Sequence, residues 1–406
     1  MERRTNAFVA IFAAFLSLVS TASANAQKAY DPGASDTEIK IGNISPYSGP
    51  ASSYAAIAKA QAAYFQMMND NGGINGRKIT YISYDDAYSP PKTVEQARKL
   101  VESDEVLFLL SPLGTPGNSA IQKYLNARKI PHLFLTSGAN KWDDPKNFPW
   151  TMGFLNNYQA EADIYIQYLQ KNFPNAKIGI IYQNDDFGKD YLAGFRQSLG
   201  AAADKQIVSA IPYESSSPTI EPLIVSLKAE NPDVVFHIAT PKFVAQGIKK
   251  VGELGWKPIQ IIPNTATSIV NVLIPAGVEN STGVLGASYL KDVNDQQWSK
   301  DPAVVKWNAF MDKYLPGANK ADSLNMYAYV VAQVGAQTIK QSGDNLTREN
   351  IMKQAANLDM EPEGLLPGVK IKTSPTDFAP LEQLQMMKFT GSHWQLFGDL
   401  LTARKR

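Results

Sequence analysis

Cysteine is absent from the 406 residues, and histidine occurs only three times, as His132, His237 and His393. Without cysteine there is no thiol nucleophile, thiolate metal site or iron–sulfur cluster. Disulfides are excluded as well, so the fold must rest on buried core, which a chain of this length can supply. The three histidines are far apart, and no metal-ligand spacing links them. No metal and no cofactor are therefore expected. An excess of charge of one sign is also missing: 39 Lys and Arg face 38 Asp and Glu. The first 26 residues hold two arginines and one glutamate, which leaves the remainder balanced. A balanced surface argues against a nucleic-acid partner and against strong adsorption to anionic lipid. After the N-terminus, no apolar run reaches the roughly 18 residues of a membrane span.

Enzyme signatures are missing too. The chain has no GxGxxG dinucleotide loop, no GxxxxGK[ST] phosphate loop and no GxSxG nucleophile elbow. Asp85-Asp86 and Asp185-Asp186 are carboxylate pairs, but neighbours along a strand or loop point apart. They read as turn-forming or hydrogen-bonded residues. Asn184-Asp185-Asp186-Phe187-Gly188 is too short for a calcium loop. The chain is not expected to be an enzyme.

What is present begins at the N-terminus. Arg3 and Arg4 precede the apolar run 7–20, and Ala24-Asn25-Ala26 closes it with small residues. This order is that of a secretory signal peptide over residues 1–26, cleaved after Ala26. A short membrane anchor or buried helix is the competing reading, which the small-residue exit disfavours. Residues 27–36 read as a flexible leader.

From residue 37 onwards strands and helices alternate. Short apolar runs such as 39–44, 78–84, 106–110, 131–136, 177–182, 233–239 and 259–262 are separated by helical stretches. Strands apolar on both faces indicate parallel sheets covered by helices, and the length indicates two such α/β units. The last third is less regular, with helices over 301–314, 323–341 and 348–356 and a terminal hairpin that adds to one sheet.

Open α/β sheets bind ligands at loops beyond the C-terminal strand ends. Three such loops stand out: 45–50 with Tyr54 just beyond, 111–115, and 136–140. Their hydroxyls and backbone N–H groups at helix starts suit a carboxylate or another anion. For any one loop ordinary helix capping is the better explanation. Three in one sheet point to a ligand site.

The segments Ile39-Lys-Ile-Gly-Asn-Ile-Ser-Pro-Tyr-Ser-Gly-Pro50, Asn71-Gly-Gly-Ile-Asn-Gly76, Ile130-Pro131 and Tyr182-Gln-Asn-Asp-Asp-Phe-Gly188 resemble the leucine/isoleucine/valine-binding protein family, the type I periplasmic solute receptors of ABC importers. The resemblance spans residues 37 to 400. It implies two doubly wound parallel-sheet lobes joined by three crossovers, with a small-molecule solute between them. Lobe 1 would comprise residues 37–157 and 286–358, and lobe 2 residues 158–285 and 359–406. It further implies a periplasmic, monomeric protein that docks on membrane permease subunits. Site residues carried over are Tyr54, Leu113, Gly114, Thr115, Ser137, Gly138 and Ala139 from lobe 1. From lobe 2 come Phe187, Thr240, Pro241, Asn264 and Thr265. Thr115 and Ala139 would anchor the ligand carboxylate.

One departure bears on the ligand. The loop 263–268 has no Asp or Glu, where the resemblance implies an acidic partner for an amino group. Glu161, Asp185 and Glu363 remain as substitutes. A branched-chain amino acid is the family's usual solute. Non-amino acids, including aromatic ones, and small amides are the alternatives for the solute, and an exported sensory ligand-binding protein is the alternative to an import receptor.

Overall fold

The computed structural model describes residues 28–404; the expected signal segment and its cleavage point lie outside them. The strand Glu38–Ser45 pairs in parallel along its whole length with Lys78–Asp85. It lies second in a five-stranded sheet of order Lys78–Asp85, Glu38–Ser45, Phe108–Leu110, His132–Leu135, Thr151–Gly153. The inner strands 108–110 and 132–135 are buried throughout, as expected of a parallel sheet covered on both faces. The second sheet has seven strands. Five are parallel, in the order Leu285–Ser288, Ile259–Ile261, Val234–Ile238, Ile178–Gln183, Ile207–Tyr213. The hairpin Gln383–Phe389 and Trp394–Thr402 extends the Leu285 edge in antiparallel fashion. The protein is thus two α/β lobes, each built on a parallel sheet and joined by crossovers, as expected from the sequence.

Each lobe is stapled by aromatic packing. In the first, Tyr64 of the helix Ala55–Asp70 sets its ring edge-on to Tyr329 of the helix Ser323–Ser342, with centroids 5.3 Å apart. In the second, Phe195 lies 4.2 Å from Phe236 beneath the sheet. The helices Tyr158–Asn172 and Asp186–Leu199 meet at Gly194, where a Cβ would stand 2.7 Å from the Gln159 Cα.

Three expectations change. Residues 27–36 are not a flexible leader over their described part. Ala29–Tyr30 pairs with Asn345–Leu346, and Arg77 donates to the Tyr30 hydroxyl and the Ser35 carbonyl. The expected boundary at residue 286 cuts the strand Leu285–Ser288, which pairs only within the second sheet, so the chain crosses back after Ser288. The crossing expected after residue 358 also falls later. Glu363 is held by Lys306, Tyr329 and Gln333 of first-lobe helices, and the second sheet resumes only at Gln383. The reason is common to both shifts. Strands of two to four residues carry too little pattern to reveal which sheet they join.

The Gly194 contact yields a test. Gly194→Val puts a branched side chain into the Gln159 backbone, and overpacking of this kind costs about 2–3 kcal/mol. Chemical denaturation of the variant should show that loss; an unchanged midpoint would contradict the close approach.

Candidate functional site

The C-terminal ends of both sheets face one another, and the loops that leave them line a cavity with about 70 Å³ of room for the centres of water-sized molecules. The first lobe supplies Tyr54, Leu113, Gly114, Thr115, Thr136 and Leu155. Phe187, Thr240, Asn264, Thr265 and Thr267 come from the second-lobe loops, and Tyr289 and Leu290 from the segment that crosses back. Polar contacts join the lobes around this space. The Tyr54 hydroxyl donates to the Thr265 carbonyl at 3.0 Å, and the Gln183 amide reaches the Tyr88 hydroxyl at 3.3 Å. Further out, the Asn140 N–H donates to Asp190 at 2.9 Å, and Lys141 pairs with Asp186 at 2.7 Å. Asp322, which also caps the helix Ser323–Ser342, accepts from Ser268 and Asn271 at 2.9 and 2.7 Å. The lobes are closed on each other.

Among the described residues no Asp, Glu, Lys, Arg or His lines the cavity. Its polar groups are hydroxyls, one amide and backbone, set among Ile57, Leu113, Leu155, Phe187, Leu290 and Leu324. The tyrosines around it are held neutral. Burial pushes the Tyr158 hydroxyl up to about 12, and raises those of Tyr54, Tyr88 and Tyr327 as well. All remain protonated at neutral pH and can donate hydrogen bonds.

Thr115 opens the helix Thr115–Ala127, so its N–H and that of Gly117 have no partner within the helix, while Pro116 has no N–H. Its hydroxyl is buried, 2.7 Å from the Ser137 hydroxyl and 3.4 Å from that of Tyr158. Gly114 precedes the helix at a φ of 100°, and a Cβ there would lie 2.6 Å from the Tyr88 ring. Only glycine satisfies both conditions. The tight turn brings the helix N-terminus up to the cavity wall.

Eight of the twelve residues expected at the site line the cavity: Tyr54, Leu113, Gly114, Thr115, Phe187, Thr240, Asn264 and Thr265. Four do not. Ser137 stands behind Thr115, its hydroxyl also taking the Trp142 indole N–H at 2.8 Å. Gly138 is pressed against the Asn156 carbonyl and the Tyr158 ring, and its own carbonyl accepts the Tyr158 N–H. Ala139 is buried at the start of the turn Asn140–Trp142 and does not line the cavity. Pro241 begins the helix Pro241–Glu253 and packs inside the second lobe. These four support the wall rather than form it. Tyr88, Tyr158, Tyr289 and Tyr327 were not anticipated. Tyr289 follows a strand end, so the post-strand rule applied to the second sheet would have found it. Tyr327 sits inside a helix and is turned inward by packing alone.

The remaining carboxylates are accounted for elsewhere. Asp185 caps the helix Asp186–Leu199 through the Phe187 N–H, and Asp186 holds Lys141. Asp86 accepts from Thr93 and from the Tyr88 N–H, fixing the Tyr88 turn. Glu161 is fully buried behind the second-lobe wall. One of its oxygens accepts the Asn264 N–H at 2.8 Å and the Tyr165 hydroxyl at 2.7 Å. Burial raises its pKa to about 7, against these hydrogen bonds. His132 and His237 are buried, neutral and bonded to Asn118 and Gln260.

A model of the periplasmic binding protein family matches residues 38–393. The chain belongs to this family. This periplasmic binding protein is 28% identical over 332 residues to a Leu/Ile/Val-binding protein of Rhizobium johnstonii, covering 80% of this chain and 84% of that one. Its fold matches the fatty acid ABC transporter substrate-binding protein of Thermomonospora curvata with a TM-score of 0.77 at 20% identity, over 93% and 95% of the two chains. It also matches an ABC-transporter solute-binding protein of Rhodopseudomonas palustris in complex with 3,4-dihydroxybenzoic acid. There the TM-score is 0.75 at 19% identity, over 91% and 99% of the chains. The family model is that of a binding protein, in line with the expectation that the chain is not an enzyme.

Glu161 makes its stability depend on pH. Its carboxyl titrates near 7 when folded, against an ordinary value of 4.5. Between those values the folded protein holds a proton that the unfolded chain releases, so stability falls as pH rises from 4.5 to 7. The full effect is up to about 3 kcal/mol. Glu161→Gln should flatten this part of a stability-versus-pH profile; an unchanged slope would contradict the assignment.

Proposed function

We propose that this protein is the extracytoplasmic solute receptor of an ABC importer, and that its solute is a mainly apolar carboxylate without an ammonium group. The observation that carries this reading is the absence of any acidic side chain from the described cavity wall. A buried ammonium requires a charged partner, because desolvation without one costs several kcal/mol. Glu161, Asp185 and Glu363 have other partners and do not line the cavity. A carboxylate fits better. The helix N-terminus at Thr115 carries free N–H groups and the positive end of the helix dipole. The Thr115 hydroxyl stands beside it, and the leucine, isoleucine and phenylalanine side chains accommodate an aliphatic or aromatic body.

The Rhizobium relative's name favours an amino acid instead. This cavity would then have to hold an ammonium with hydroxyl and carbonyl oxygens alone. Solute captured between the lobes would stabilise the closed arrangement over an open one, and the importer's membrane subunits would read the closed form.

Calorimetry on protein unfolded, freed of solute and refolded tests the reading. 4-Methylpentanoate or benzoate should bind, and leucine and phenylalanine should not. Binding of the amino acids alone would overturn it. Thr115→Val should weaken the acid by about 1–3 kcal/mol while leaving the fold intact.

A further inference from the structure

The second-lobe wall has two polar groups with nothing to do. The Asn264 side-chain nitrogen and the Thr265 hydroxyl are shielded from solvent and have no hydrogen-bond partner in the structure, yet both residues line the cavity. Their neighbours on the same wall are committed. The Thr267 hydroxyl donates to the Asn264 carbonyl at 3.0 Å, and that of Ser288 to the Leu290 carbonyl at 3.2 Å. The Thr265 carbonyl takes the Tyr54 hydroxyl. The loop itself is braced from behind. The Asn264 N–H is held by Glu161, and the Ile262 carbonyl accepts the Tyr165 hydroxyl at 2.9 Å. Buried polar groups left unpaired are costly, so a braced loop that carries two of them in residues of a cavity wall is set up for a partner that arrives with the ligand.

We infer that Asn264 and Thr265 form a second recognition pole, which binds an uncharged oxygen, hydroxyl or carbonyl, at the end of the solute remote from its carboxylate. This rests on the carboxylate reading above and narrows it: the solute is an oxygenated organic acid rather than a plain hydrocarbon acid. An amide nitrogen donates to an oxygen acceptor, and a threonine hydroxyl can donate or accept, so the pair suits either oxygen function. An ammonium, which is a donor only, cannot accept from the Asn264 N–H groups. Sites built to satisfy a ligand's polar group also reject analogues that lack it, because their own groups then stay unpaired.

The test uses matched acids on the refolded, solute-free protein: 4-hydroxybenzoate against benzoate, and 5-oxohexanoate against hexanoate. The oxygenated member of at least one pair should bind tenfold or more tightly, in line with an order-of-magnitude gain for one buried hydrogen bond. Asn264→Ala should abolish that preference. Thr115→Val should weaken both members alike and keep the preference. Equal affinity within both pairs, or a preference that survives Asn264→Ala and Thr265→Val, overturns the second pole while leaving the carboxylate reading standing. If the amino acids bind and none of the four acids does, the carboxylate reading falls and the second pole with it. Circular dichroism of each variant separates lost recognition from lost fold.

Discussion

The cost of burying a charge without a partner governs this protein's binding site. Two lobes close over a space whose described lining carries no ionic side chain, and the carboxyl groups nearby have partners elsewhere. Asp86, Asp185 and Asp322 brace turns and helix starts, and Glu161 sits behind the wall with its pKa raised towards neutrality. What remains in the cavity is neutral: hydroxyls, an amide and the start of a helix. Such a surface can stabilise a carboxylate through oriented dipoles, but it offers an ammonium no counter-charge. The argument about the solute follows from that asymmetry.

The fold puts the asymmetry in place. Parallel sheets send all their outgoing loops to one end, and two sheets placed end to end make those loops the walls of a single cleft. Closure is then a matter of polar contacts between the lobes, from the Tyr54 hydroxyl on the Thr265 carbonyl at the centre to the Lys141–Asp186 pair at the rim. The rim pair is half exposed, and its contribution is small. The inner contacts involve buried groups next to the solute space and are where solute and closure can be coupled.

Much of this was legible in the chain. The alternation of short apolar runs with helical stretches gave the two α/β lobes, and the post-strand loops gave Tyr54, Leu113 and Thr115. Asn264 and Thr265 came through the family resemblance. What was not legible has physical causes. Thr151–Gly153 is too short to show a period. Asp359–Met360 and Ile371–Lys372 pair with each other, a choice made by tertiary packing. Ser137 looks like a ligand-binding hydroxyl until Thr115 and Trp142 are seen to occupy it. Tyr158 and Tyr327 reach the cavity from helices, and nothing local in sequence says which side of a helix the partner lobe will cover.

The most direct test of the central claim needs no choice of candidate solutes. The protein would be isolated from the cells that export it, without unfolding, and examined by native mass spectrometry, with the released solute identified by its exact mass and by its reaction with an amine-specific reagent. The account predicts an organic acid that carries oxygen beyond its carboxylate and does not react as an amine. Recovery of an α-amino acid would contradict it.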